Sequence, residues 1–191
     1  MPKGKPADPI RDRRHIRAIK AMLKEQNKRR EYLFFTLGIN SGLRTSDILD
    51  LTIGDLWKLE GTPRKEFSKR AQKNNSLATT RINDAILEAM NYAAPALPVY
   101  DLDAPLFEVS RQMVSRWVKK WCHAAGIDQG NYSAHTVRKT FAYQLWNEQG
   151  RTFEGLVLVS KALGHKSTGT TMDYLGINRD RIAMWQDKLN L

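Results

Sequence analysis

Apolar residues recur along this chain mainly at helical spacing. Ile16, Ile19, Met22 and Leu23 stand among basic residues at intervals of three and four, which predicts a surface helix opened by Asp8 as N-cap and Pro9 in the first turn. Beyond a solvated charge run at 28–30, Tyr32, Leu33, Phe34, Phe35, Leu37 and Ile39 make a segment apolar nearly all round, the pattern of a central buried helix that Gly42 ends. Thr45 caps a short helix through Leu51. From 57 to 83 the pattern is short, polar and basic, with Gly61, Pro63 and Asn74-Asn75 as turn signals, so two or three short antiparallel strands are expected there. Helical spacing returns over 85–94 and through Met113, Val114, Trp117, Val118, Trp121 and Ala125, then over 136–149, 153–163 and 177–191, with Gly126, Gly150 and Gly164 as breaks. The fold class is α+β, mostly helical, with one small three-stranded antiparallel sheet.

Charge adds a partner to this outline. The chain of 191 residues carries 31 Lys and Arg against 20 Asp and Glu, a formal net charge of +11, the excess that a polyphosphate attracts. Nucleic acid leads, although membrane-surface and heparin-type binders share that balance. The lone cysteine, Cys122, sits among apolar residues and excludes a disulfide framework or a cysteine zinc site. No apolar run reaches membrane-spanning length, and the basic start lacks the apolar segment of a signal peptide, so a cytoplasmic protein without a membrane partner is expected. The length suits one domain, taken as 9–191 behind a basic, flexible segment at 1–8.

Three separated segments collect the residue types that a DNA-cleaving site needs. The first, Ser41-Gly42-Leu43-Arg44-Thr45-Ser46-Asp47-Ile48-Leu49, puts Arg44 at a turn from which its guanidinium can project from a helix start. In the second, Ser133-Ala134-His135-Thr136-Val137-Arg138, a three-residue step places His135 and Arg138 on one helical face. The third, Leu163-Gly164-His165-Lys166-Ser167-Thr168-Gly169-Thr170-Thr171-Met172-Asp173-Tyr174, sets a histidine after a helix-ending glycine and a tyrosine nine residues on. A lone H-x-x-R is common; these three boxes in this order are not. Together they resemble the phage-integrase, or tyrosine recombinase, family over most of the chain.

The resemblance implies a metal-free, cofactor-free site-specific recombinase of integrase or invertase type. Tyr174 attacks the scissile phosphodiester, giving a 3′-phosphotyrosyl link and a free 5′-hydroxyl. Arg44 and Arg138 fork onto the non-bridging phosphate oxygens, where permanent charge stabilises the pentacoordinate transition state. His135 exchanges the nucleophile's proton, and His165 donates to a non-bridging oxygen. The family's hairpin lysine, which protonates the leaving oxygen, falls on Lys73, with Lys65 and Lys69 as alternatives; Asp47 buttresses the site. Implied partners are double-stranded DNA at a specific site and further protomers in a synaptic tetramer. Only 43 residues precede Arg44, so no separate N-terminal DNA-clamping domain is expected, whether the chain is an excised catalytic domain or a compact member. Rival readings are a non-cleaving DNA-binding regulator of the same fold and a type IB topoisomerase. His15 and His123 match no box, the tryptophans fall on core stripes, and Lys119, Lys120 and Lys139 suit either phosphate contact or a solvated face.

Overall fold

The computed structural model describes residues 5–70 and 77–189, with the backbone alone at 179–181 and 185. It divides into two compact units, Met1–Phe141 and Ala142–Leu191.

In the first unit, helix α1 (Arg13–Glu25) starts where the Asp12 carboxylate accepts from the Arg14 N–H. It does not start at Asp8-Pro9, because that segment is already engaged elsewhere. The Asp8 N–H donates to the Asn131 carbonyl at 2.7 Å, and its carboxylate accepts from the Asn131 N–H at 2.8 Å. The Ile10 N–H donates to Thr140 Oγ1 at 2.9 Å, with the Ile10 side chain buried. Extended backbone held at these points cannot also coil.

Helix α2 (Arg29–Ser41) is the central helix that the pattern predicts, buried continuously from Tyr32 to Gly38. Aromatic rings surround it edge-on: Phe34 against Phe107 at 5.3 Å and Phe35 against Trp121 at 5.5 Å, with Trp117 stacked on Trp121 at 6.0 Å. The Trp121 indole N–H donates to Glu31 at 3.0 Å, so the one polar atom of that buried ring is satisfied. Gly42 closes the helix in the left-handed conformation at φ 67°. Helices α3 (Thr45–Leu49) and α4 (Ile53–Leu56) follow, the latter opened by a reciprocal Thr52/Asp55 capping box.

Strands β1 (Glu66–Arg70) and β2 (Leu77–Arg81) pair antiparallel, Glu66 opposite Arg81 and Arg70 opposite Leu77. The expected third strand is not present among the described residues: the preceding stretch contributes one isolated bridge, Trp57 to Pro63. Gly61 turns there at φ 72°, and Pro63 has no N–H to extend a ladder. Helices α5 (Asp84–Ala93), α6 (Arg111–Ala124) and α7 (His135–Glu148) follow.

Helix α7 starts in this unit, against a glycine face of α2. A Cβ on Gly38 would lie 2.8 Å from Val137, and one on Gly42 would lie 2.5 Å from the Phe141 ring. These glycines, four residues apart, let the backbone of α2 approach the start of α7 closely enough to draw two of the sequence boxes together.

In the second unit, Thr152 caps α8 (Phe153–Leu163), which ends on left-handed Gly164 at φ 64°. Helix α9 (Thr168–Leu175) is a helix that apolar spacing does not announce, since Thr168, Gly169, Thr170 and Thr171 are poor helix formers. It forms because the Ser167 side chain accepts from the Thr170 N–H and because Thr171 and Leu175 are buried. Left-handed Gly176 ends it before α10 (Ile177–Leu189). Among the described residues no helix is long and apolar enough to cross a membrane.

Candidate active site

In the first unit the Gly42 turn organises both arginines. Two residues beyond it, Arg44 is the N-cap residue of α3, extended at φ −68° and ψ 151°. Arg138, buried at 6 % exposure, donates from Nη1 to the carbonyl of Gly42 itself. A second tie fixes the boxes together: the buried Thr45 Oγ1 donates to the Ala134 carbonyl at 2.7 Å, next to His135. Asp47 is 2 % exposed, with a carboxylate oxygen 3.8 Å from Arg44 Nη1, so the acid braces the guanidinium at the helix start. Lys139 is buried, which removes the solvated face from the two readings open to it.

His135 opens α7 at the surface, its N–H within 3.4 Å of Ser133 Oγ. Its Nε2 contacts Nη2 of Arg111, the exposed first residue of α6. The surrounding protein and four cations hold the imidazole below its ordinary pKa: desolvation first, then Arg111, Arg138, Lys139 and Arg44. This is a cluster of fixed positive charge around an imidazole.

Of the three hairpin lysines, Lys73 lies outside the described residues. Lys69 is engaged: its Nζ donates to the Asp50 carbonyl at 2.6 Å and lies 3.3 Å from the Asp55 carboxylate and 3.5 Å from that of Asp50. That bracket pins β1 to the α3–α4 turn. Lys65 is exposed, and its carbonyl accepts from the Ile82 N–H.

In the second unit, Gly164 turns His165 out of α8, and the His165 N–H closes the turn onto the Ser160 carbonyl at 2.9 Å. Tyr174 occupies the last turn of α9, half-buried, its ring edge-on to His165 at 5.2 Å and 81°. A buried hydroxyl relay backs the histidine: His165 Nδ1 lies 2.9 Å from Thr171 Oγ1, which lies 2.7 Å from Ser160 Oγ, which donates to the Leu156 carbonyl at 2.8 Å. Ser160 has one hydroxyl proton, directed at Leu156. Thr171 therefore donates to Ser160, and its oxygen accepts from His165 Nδ1–H. The ring is held with its Nδ1 proton inward, on Thr171.

The structure thus groups Arg44, Asp47, His135 and Arg138 in one unit and His165 and Tyr174 in the other. Sequence reasoning missed Arg111, Thr171 and Ser160. For Arg111 there was a local signal: a cation in the first turn of a helix opposes the macrodipole, and such a placement needs another reason.

The scaffold is helical with a small antiparallel hairpin, and it gathers Arg44 and Arg138 at one turn of the first unit and sets Tyr174 beside His165 in the second. The family model "Phage integrase family" matches residues 12–181, and the chain belongs to that family. It is 31% identical over 172 residues to the "Probable integrase/recombinase YoeC" of Bacillus subtilis, covering 90% of this chain and 91% of that protein. It is 28% identical over 166 residues to the "Tyrosine recombinase XerC" of Caldanaerobacter subterraneus, covering 81% of this chain and 43% of the relative. Among solved structures, the XerA recombinase superposes with a TM-score of 0.66 at 18% identity, over 100% of this chain and 68% of that one. A lambda integrase dimer bound to a COC′ core site gives 0.64 at 18% identity, over 91% and 49%. These two likenesses show the fold.

Proposed function

We propose that this tyrosine recombinase breaks and rejoins duplex DNA at a specific site through Tyr174. The carrying observation is the Gly42 turn, which binds Arg138 by its carbonyl and presents Arg44 two residues later. Two guanidiniums on one turn suit the two non-bridging oxygens of one phosphodiester.

In this reading Tyr174 Oη attacks phosphorus, the P–O5′ bond breaks, and the phosphate stays on the tyrosine as a 3′-phosphotyrosyl ester. A phenol with a pKa near ~10 must lose its proton as it attacks, and neutral His135 is the acceptor. Lys73 gives a proton to the departing 5′-oxygen. His165, its Nδ1–H anchored on Thr171, directs Nε2 at the phosphate and donates once protonated. A 5′-hydroxyl from a partner strand then reverses the step. The ester keeps the free energy of the broken bond, so neither ATP nor a cofactor is called for. The basic surface binds the DNA backbone, further copies of the chain supply the partner strands in a tetrameric synapse, and the setting is the cytoplasm, at the nucleoid.

The test is covalent trapping. The protein and its Tyr174→Phe variant are incubated with nicked duplexes drawn from the source genome, and protein-linked DNA is sought on denaturing gels. A protease-sensitive adduct with the wild type alone is expected. Salt-sensitive binding without any adduct would overturn cleavage and favour a regulator of the same fold.

A further inference from the structure

We propose that Arg111 is a positioning residue of this site: its guanidinium fixes the His135 ring as the neutral Nδ1–H tautomer, with Nε2 turned toward α6 as an acceptor. The inference about the ring stands on the free protein; its consequence for catalysis rests on the strand-transfer reading above.

The argument starts from donor chemistry. A guanidinium carries only N–H donors and cannot lose a proton at ordinary pH, so whatever atom meets it must accept. The atom that meets Arg111 Nη2 is His135 Nε2. That nitrogen therefore presents its lone pair, and the ring's single proton lies on Nδ1. Protonating the ring would put an N–H against a cation, and the neighbouring charges act in the same sense: Arg138 and Lys139 from α7 itself, and Arg44 from the start of α3. Among these cations, Arg111 touches the ring directly, and it arrives from a different helix.

Its position also fits a role that ends when DNA arrives. Arg111 is exposed, at the N-terminus of a fourteen-residue helix capped by Ser110, whose side chain accepts from the Met113 N–H. A phosphodiester competes for an exposed guanidinium better than an imidazole does, because it offers full charge and two oxygens. When the backbone takes Arg111, Nε2 is released with its lone pair, ready to receive the proton of the attacking phenol. The same residue adds to the burial and the other cations that disfavour protonation of His135 in the free protein, and uncovers the ring on binding.

The experiment follows the four histidines of the intact chain by nitrogen-detected NMR over pH 4.5–8.5, with the His135 signals assigned by the His135→Asn variant. In the wild type, His135 should titrate below the ordinary value of 6.5 and show the Nδ1–H pattern. Arg111→Met removes donor and charge while keeping an unbranched stem; it should raise the His135 midpoint and mix the two tautomers. Arg111→Lys, which still donates, should restore the wild-type pattern. Identical midpoint and tautomer in the wild type and Arg111→Met would overturn the proposal. On nicked duplexes kept well below saturation, where the pH profile reports the free protein, the acid limb of adduct formation should move to higher pH in Arg111→Met and return in Arg111→Lys. A limb that stays in place overturns the catalytic half. If the wild type forms no adduct, the strand-transfer reading fails instead, and the ring assignment is decided by the NMR arm alone.

Discussion

Gly38 and Val137 meet so closely that a single methyl group on the glycine would lie 2.8 Å from two carbons of the valine. The first prediction follows from that contact. Gly38→Ala should destabilise the protein by about 1–3 kcal/mol, the usual cost of overpacking. It should also slow adduct formation, because it pushes away the helix start that carries His135 and Arg138. Adding Val137→Ala should return much of both losses, and urea midpoints of the single and double variants measure the coupling. Purely additive losses would show that the contact does not set the spacing.

Thr171→Val keeps shape and removes the oxygen that accepts from His165 Nδ1. The histidine then loses its tautomer lock, and adduct formation should fall about two- to tenfold, the kinetic equivalent of a hydrogen bond worth about 0.5–1.5 kcal/mol. Thr171→Ser restores the oxygen and should restore the rate. A valine variant as fast as the wild type would show that the relay does not position His165.

His135 makes stability pH-dependent in one direction. Its pKa is lower in the folded chain than in the unfolded one, so the unfolded chain binds the proton more readily. Well above the unfolded value of 6.5 the group costs nothing; below it, stability is lost as pH falls toward the folded value. Urea midpoints at pH 7.5 and 5.5 should therefore drop more on acidification in the wild type than in His135→Asn. Equal drops would assign the acid sensitivity elsewhere.

Cys122 is buried at 1 % exposure, and desolvation pushes its thiol up to about 12. Thiolate is the reactive form, so the native protein should resist maleimide or a disulfide reagent at pH 8. Labelling should appear only along the urea transition. Rapid labelling of the native state would mean that α6 opens locally.

If the basic surface holds the DNA backbone, binding releases counterions. Log affinity should then fall linearly with log salt, and Arg44→Ala should reduce the slope by about 1 for the phosphate contact it deletes. An unchanged slope in Arg44→Ala would place that residue away from the phosphates.

Much of this protein is legible in its residue order, for identifiable reasons. Helix α2 declares itself because it is buried on every side, and the boxes around Arg44, His135 and Arg138 are visible because each lies within a few residues of a helix start. The start of α1 was misplaced because Asp8-Pro9 is a good local cap; only the distant partners Asn131 and Thr140 draw it into an extended segment. Helix α9 was hidden by its threonines, which are poor helix formers in isolation and good residues for a buried relay. Arg111 is marked in the sequence only as a cation misplaced in a first helical turn, and its role stays hidden because its partner lies twenty-four residues away and on another helix. The two-stranded hairpin fell short of three strands because one proline and one glycine outweigh the polar, basic character of the stretch they interrupt.

The aromatic packing around α2 also makes the protein its own optical reporter. Trp57 and Trp121 are each 1 % exposed and emit from a dry interior, and the half-buried Trp117 stacks on Trp121, so all three report on the first unit. Trp146 belongs to the second unit, with its indole N–H on the Thr152 carbonyl at 3.1 Å. Replacing Trp146 and Trp185 with phenylalanine would leave a blue emission that follows the arginine-bearing unit alone. The loosening of that unit could then be timed separately from events around the nucleophile.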